Sequence, residues 1–167
     1  MNVALIVAMD SERGIGRNND LMWHLPEDMK FFTNSTRGHI VVMGRKNYDS
    51  IPEKYRPLPG RENVILTRNK SFSAENCKVF HDLQSILDHY SAETERTLFI
   101  IGGGEIYRLA LEAGIVDEMY ITYINKNYGA DTFFPEFDLN QWQVQTIKQQ
   151  PIDEHHEASF SVLHYTS

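Results

Sequence analysis

The 167-residue chain has a single cysteine, Cys77, which excludes an internal disulfide framework and fits a reducing compartment. It has no apolar run long enough to cross a bilayer, since Val3-Ala4-Leu5-Ile6-Val7-Ala8-Met9 stops at Asp10. No small-residue cleavage site follows that run, so no secretory signal peptide is expected. Basic residues are outnumbered, 16 Lys and Arg against 23 Asp and Glu. The resulting net charge of −7 argues against a general nucleic-acid or anionic-membrane binder, while leaving room for a local basic pocket. Gly/Ser linkers, low-complexity tracts and internal repeats are missing too, so residues 1–167 are expected to fold as a single domain with a sizeable core. A cytoplasmic protein is the expectation.

What is present is an alternation of β-branched runs with helical patterns, the signature of an α/β unit. Strands are expected at Val3 to Met9, His39 to Met43, Asn63 to Leu66, Lys78 to His81, Thr97 to Ile101, Glu118 to Ile124, Trp142 to Ile147 and Ala158 to Tyr165. Helices are expected from Pro26 to about Ser35, Arg45 to Ser50, Asp82 to Tyr90 with Asp82 as N-cap, and Gly104 to Ala113. Apolar runs such as Leu98-Phe99-Ile100-Ile101 imply parallel strands buried on both faces. The last two strands alternate polar and apolar residues and read as antiparallel.

Asp28 stands out because it shares a helix face with Leu25, Met29 and Phe32. A carboxylate turned toward an apolar interior loses hydration worth several kcal/mol unless hydrogen-bond donors replace it, which points to a ligand with paired N–H groups. The alternative is a first-turn acid facing the helix dipole. Glu27 is expected to point into solvent.

Three strand-to-helix junctions carry anion-binding chemistry. Met43-Gly44-Arg45-Lys46 and Leu66-Thr67-Arg68 set cations at strand ends, where ordinary surface charge is the competing reading. Ile101-Gly102-Gly103-Gly104-Glu105-Ile106-Tyr107 lets a ligand approach the backbone and the first amides of a helix. It lacks the Gly-x-Gly-x-x-Gly spacing of a Rossmann fingerprint.

Seven motifs in order make the chain resemble dihydrofolate reductase of the bacterial type from Val3 to Tyr165. They are Ile15-Gly16 with Asn19, Trp23-His24-Leu25-Pro26 with Asp28, Met43-Gly44-Arg45-Lys46, and Pro57-Leu58-Pro59-Gly60-Arg61. Ile100-Ile101-Gly102-Gly103-Gly104, Tyr120-Ile121-Thr122 and Asp131-Thr132-Phe133-Phe134-Pro135 complete the series. The resemblance implies an eight-stranded, mostly parallel mixed sheet with an antiparallel C-terminal hairpin and about four flanking helices. It implies Asp28, supported by the Thr122 hydroxyl, on the 2-amino group and ring N–H of a pteridine. Ile6, Val7, Ala8, Met29, Phe32, Ile51, Leu58 and Ile101 would wall the rings, and Arg61 would hold the α-carboxylate of the glutamate tail.

The implied cofactor is NADPH, with Arg45 and Arg68 on its 2′-phosphate, Lys46 and Thr67 beside them, and the helix opening at Gly104 facing the pyrophosphate. Ala8, Ile15, Gly16, Asn19, Gly44, Asn47, Leu66, Ile101, Gly102, Gly103, Glu105, Ile106 and Tyr107 are the other cofactor positions carried over. Gly102-Gly103 matches a cis peptide. Residues from about Met9 to His24 would form a loop closing on the nicotinamide, with Trp23 at its base. Hydride would pass to carbon 6 of 7,8-dihydrofolate and a proton, delivered by water, to nitrogen 5. A monomer that binds dihydrofolate and antifolates, and neither metal, nucleic acid nor membrane, completes the expectation.

Other enzymes on this fold, such as pyrimidine reductases, would share the NADPH contacts but not the Asp28 and Arg61 pair. A nucleotide-binding module without turnover is the third class. Departures from the family pattern are Met22 for proline, Asn47 for threonine, a longer connection at Pro52-Glu53-Lys54-Tyr55-Arg56, and Ala130 for glycine, which predicts strain or a changed loop. Glu154-His155-His156-Glu157 reads as a solvated turn rather than a metal site, and Cys77 as a passive thiol.

Overall fold

Strands this rich in Val, Ile and Leu need cover on both faces, and helices on either side of one sheet supply it. A computed structural model describes residues 1–18 and 20–167. In chain order the elements are β1 (Asn2–Met9), β2 (Gly14–Gly16), α1 (Pro26–Thr36), β3 (Ile40–Gly44), α2 (Arg45–Ser50) and β4 (Glu62–Leu66). They continue with β5 (Lys78–Phe80), α3 (Leu83–His89), β6 (Thr97–Gly102), α4 (Gly104–Glu112) and β7 (Glu118–Ile124). The C-terminal part holds β8 (Thr132–Phe133), β9 (Gln143–Gln150) and β10 (Phe160–Thr166).

Eight strands form one sheet in the order β5-β4-β3-β6-β1-β7-β10-β9. Neighbours from β5 to β7 are parallel, and β10 runs antiparallel to both β7 and β9. This is the expected mixed sheet, its strands and four helices falling where the pattern put them with ends shifted slightly. β2 and β8, which pair with each other, were not expected as strands. Asp82 caps α3 by accepting the Ser85 N–H at 2.7 Å.

Alternation along β1 divides its side chains between two cores. Val3, Leu5, Val7 and Met9 lie with Ile86, Ile106, Tyr107 and Ala110 of α3 and α4. Ala4 and Ile6 face the other way, with Phe31, Phe32 and Tyr48 of α1 and α2. The crevice beyond the carboxyl ends of such strands is where open α/β sheets hold ligands.

Two departures resolve locally. The longer connection contains a 3-10 turn at Glu53–Tyr55, after which Arg56 Nη1 donates to the carbonyls of Tyr48, Asp49 and Ile51 at 3.3, 3.1 and 3.2 Å. A cation thereby satisfies the acceptors left over at the C-terminal end of α2. Ala130 carries no strain, because the left-handed position belongs to Gly129 at φ 71°.

Candidate active site

α1 opens at Pro26 with Leu25 as an N-cap that has no side chain to offer. Leu25 is buried, Asp28 and Phe32 are half-buried and Met29 is exposed, so the face they share grades outward from the core. Burial pushes the Asp28 carboxyl up to about 6, opposed by hydrogen bonding to Thr122. Thr122 is buried in β7, where it pairs with Ala8 of β1. Glu27 lies at the surface as expected, partly covered by Lys30 at 3.1 Å and Lys148 at 3.4 Å, which hold its carboxyl below the usual range.

Ile6, Phe32, Ile51, Leu58 and Ile101 pack into one apolar cluster on the α1 side of the sheet. Ala8 and Trp23 join a neighbouring cluster around Leu25, and the Trp23 ring tilts against Tyr128 at 5.3 Å. Val7 is a correction: the strand period turns its side chain into the opposite core, so only its backbone belongs to the Ile6 side.

Arg61 is half-buried and held at its base. Its Nε donates to the Pro59 carbonyl at 2.9 Å and its Nη1 to Thr36 Oγ1 at 3.2 Å, with the guanidinium 5.9 Å from the Phe32 ring centre. Burial first, and nearby Arg37 second, lower its affinity for its proton. A guanidinium thus anchored keeps its remaining N–H groups for an anion.

At the carboxyl ends of β3 and β6, Gly44 and Gly103 are extended N-caps of α2 and α4 with no side-chain cap, leaving early amides free. Gly44 is glycine for space, since a Cβ there would meet Ile106 Cγ1 at 2.9 Å. The Gly102-Gly103 peptide is cis. Arg45 and Lys46 are exposed, Arg45 pairing with Asp49 at 3.5 Å and lying 4.7 Å from the Phe72 ring centre. Asn47 accepts the Ser50 hydroxyl through its carbonyl at 2.6 Å. Thr67 accepts the Asn69 N–H at 3.2 Å, and Arg68 reaches Glu105 at 3.1 Å.

Some carried-over cofactor positions have another occupation. The Tyr107 hydroxyl is buried and shares its one proton between the Ile6 and Ile101 carbonyls, at 2.9 and 2.8 Å, tying β1 to β6. Leu66 and Ile106 lie in the core, and Glu105 is an ion-pair partner of Arg68. Ile15 packs partly against that core, while the Gly16 carbonyl accepts the Asp131 N–H at 3.0 Å. Asn19 lies outside the described residues. One hollow of about 370 Å³ separates Asn18 and Asp20 from Lys46, Asp49 and Ser50. Another, of about 530 Å³, runs along Gly104, Glu105 and Arg108 beneath Asp131 to Pro135.

Two uncapped helix starts thus stand at the carboxyl ends of β3 and β6, with the Asp28 carboxyl in the first turn of α1 and the anchored Arg61 at the opposite, amino end of β4. The family model described as Dihydrofolate reductase matches residues 2–167. The chain belongs to the dihydrofolate reductase family. Dihydrofolate reductase from Staphylococcus haemolyticus is 38% identical over 154 residues, covering 92% of this chain and 89% of that one. The Bacillus subtilis enzyme of that name is 37% identical over 163 residues, covering 98% and 93%. A solved dihydrofolate reductase from Enterococcus faecalis, complexed with NADP(H) and RAB-propyl, superposes with a TM-score of 0.89 at 33% identity, covering 99% of this chain and 95% of that one.

Several residues on which this dihydrofolate reductase fold leans near the site went unread in the sequence. Asn63 is buried; its side chain accepts the Leu58 N–H at 2.8 Å and donates to the carbonyls of Leu58 and Arg61 at 2.9 and 3.1 Å. Thr36 is buried under Arg61. His156 is buried as well, while Glu154, His155 and Glu157 around it are exposed, so the solvated-turn reading of the segment fails only for that one ring. Among the described residues no cluster of ligating side chains could hold a metal ion. The Thr36 to Arg61 contact joins residues 25 apart and leaves no short-range sequence signal.

Proposed function

We infer that the chain catalyses NADPH-dependent reduction of 7,8-dihydrofolate to 5,6,7,8-tetrahydrofolate, serving one-carbon metabolism. The observation that carries this reading is the Asp28 carboxyl: half-buried on an apolar face, raised to about 6 by burial, and with no cation among the causes of that shift. A ligand with two adjacent N–H donors satisfies such a group, and the 2-amino group and ring N–H of a pteridine are such a pair. Asp28 orients the ring and, through its charge, raises the basicity of nitrogen 5. Thr122 supports it, and Ile6, Ala8, Met29, Phe32, Ile51, Leu58 and Ile101 line the rings. Arg61 grips the glutamate α-carboxylate.

The residues present fit NADPH: two uncapped helix starts, exposed Arg45, Lys46 and Arg68, and open space at Gly103, where a Cβ would meet nothing within 4 Å. Bound NADPH supplies the hydride. Arg45 and Arg68 would hold its 2′-phosphate with Lys46 and Thr67 beside them, and the amides opening α4 at Gly104 would bind its pyrophosphate. Trp23 and the segment after Met9 exclude water from the reacting carbons, and the proton for nitrogen 5 comes from water.

Residues 1–167 act as one catalytic domain, a monomer of the cytoplasm whose partners are dihydrofolate and antifolate inhibitors. Among the described residues no helix is long and apolar enough to cross a membrane. Mixing purified protein with NADPH and dihydrofolate tests the reading: nicotinamide absorbance falls only when both are present. A folded protein that binds NADPH yet leaves dihydrofolate unreduced refutes it.

A further inference from the structure

The first turn of α1 has one amide that its own sequence does not satisfy. Pro26 has no N–H, while the amides of Asp28 and Met29 both donate to the Leu25 carbonyl, at 3.0 and 3.1 Å. That leaves Glu27, and Leu25 has no side-chain acceptor to offer it. The missing acceptor comes from 129 residues away, where His156 Nε2 takes the Glu27 N–H at 3.1 Å.

The imidazole is set up for that task. It is 3% exposed, and its Nδ1 lies 2.8 Å from Asp153 Oδ1. A carboxylate can only accept there, so the ring proton sits on Nδ1 and Nε2 is left bare. Asp153 is itself oriented by the His155 N–H at 2.9 Å and Gln150 Nε2 at 3.0 Å. Lys148 of β9 reaches Glu27 Oε1 at 3.4 Å, and Leu25 packs with Ala158 and Phe160, so the C-terminal hairpin grips the helix start at three points.

We propose that His156 is a positioning residue for Asp28: by capping Glu27 it fixes the first turn of α1, and with it the place of the carboxylate in the cleft. The proposal rests on the reading of Asp28 as the pteridine-binding acid. It makes substrate affinity, and not only stability, depend on the connection between β9 and β10.

His156→Ala, His156→Gln and Asp153→Ala test this beside Asp28→Asn, by titration with dihydrofolate and with NADPH, urea midpoints, and the ¹³C titration of the Asp28 carboxyl. His156→Ala is expected to weaken dihydrofolate binding about five- to tenfold, the scale of a lost helix cap, with NADPH binding unchanged. The Asp28 midpoint should fall toward 3.8 as water reaches a frayed first turn. His156→Gln, which keeps a side-chain acceptor, should recover most of the loss. Asp153→Ala, at an exposed position, should shift both readouts the same way by a smaller factor, and it carries the test if His156→Ala does not fold. Variants with a lowered urea midpoint but wild-type dihydrofolate affinity and Asp28 titration would overturn the proposal. An Asp28→Asn protein that binds dihydrofolate as tightly as wild type would instead overturn the reading of Asp28, and the proposal with it.

Discussion

In the proposed site, single side chains carry the recognition. Arg61 is anchored by Pro59 and Thr36 and leaves its outer N–H groups for a carboxylate. Arg61→Leu should weaken dihydrofolate binding by about 2 to 4 kcal/mol through loss of a partly desolvated ion pair, leaving NADPH affinity nearly untouched. Equal weakening of both ligands in a calorimetric titration would remove Arg61 from the substrate site. Asp28 exerts its effect even without a ligand. Its folded-state carboxyl is raised from 3.8 to about 6, so the folded chain holds the proton more tightly than the unfolded one, and stability is lost as pH rises through that interval. Asp28→Asn should therefore gain up to about 3 kcal/mol over wild type above pH 6, and nothing below pH 4. Urea midpoints across that range check it; a variant less stable at neutral pH would make Asp28 a structural helix-end acid. Asp28 was legible because proline marks the helix start and spacing then assigns the face. Val7 was misread because strand alternation outweighs its place beside site motifs, and the backbone bonds of the Tyr107 hydroxyl were not foreseen because its acceptors lie on two separate strands.

Among elements, those with a periodic or β-branched signal were legible, and most of the eight sheet strands and four helices are long enough for the spacing of apolar residues to repeat; β5, at 3 residues, was read as part of a longer run from Lys78 to His81. β2 and β8, at 3 and 2 residues, are too short to show a period, and their pairing is set by contacts between distant loops. That junction holds a close fit. A Cβ on Gly14 would come 2.4 Å from Ala130 Cβ and 2.8 Å from Asp10 Oδ1, so the glycine lets the two segments touch, and Ala130 fills the space. Asp10, buried, clamps the same junction by accepting the N–H groups of Glu12, Gly14 and Tyr128 at 2.9, 2.7 and 3.0 Å. Gly14→Ala should cost about 1 to 3 kcal/mol of stability by overpacking and slow hydride transfer. Adding Ala130→Gly should recover part of both, the Asp10 contact preventing full rescue. Single-turnover rates and urea midpoints for the four proteins provide the test; strictly additive losses would mean that the two positions do not share one space.

On the scale of the whole molecule, a negative chain has to hold an anionic cofactor, and the proposed site gives that task to a few cations at one rim of the sheet. Arg45 and Arg68 are paired with Asp49 and Glu105 on exposed surface, where such pairs are weak enough to yield to a phosphate. Neutralising both should erase most of a preference for NADPH over NADH, with kcat at saturating NADH nearly intact. A wild-type chain that already favours NADH in kcat/KM would contradict the assignment. Motif order made the family and sheet legible, whereas the Arg68 to Glu105 pair joins residues 37 apart and left no sequence trace. All of this converges on one ionised carboxylate acting on a bound pteridine. The direct measurement is the rate of hydride transfer against pH for wild type and Asp28→Asn. Removing the charge should cost about 3 to 5 kcal/mol of transition-state stabilisation at neutral pH, with residual activity rising as pH falls and solution protonates the substrate instead. Near wild-type rates in the Asn variant at neutral pH would contradict the account.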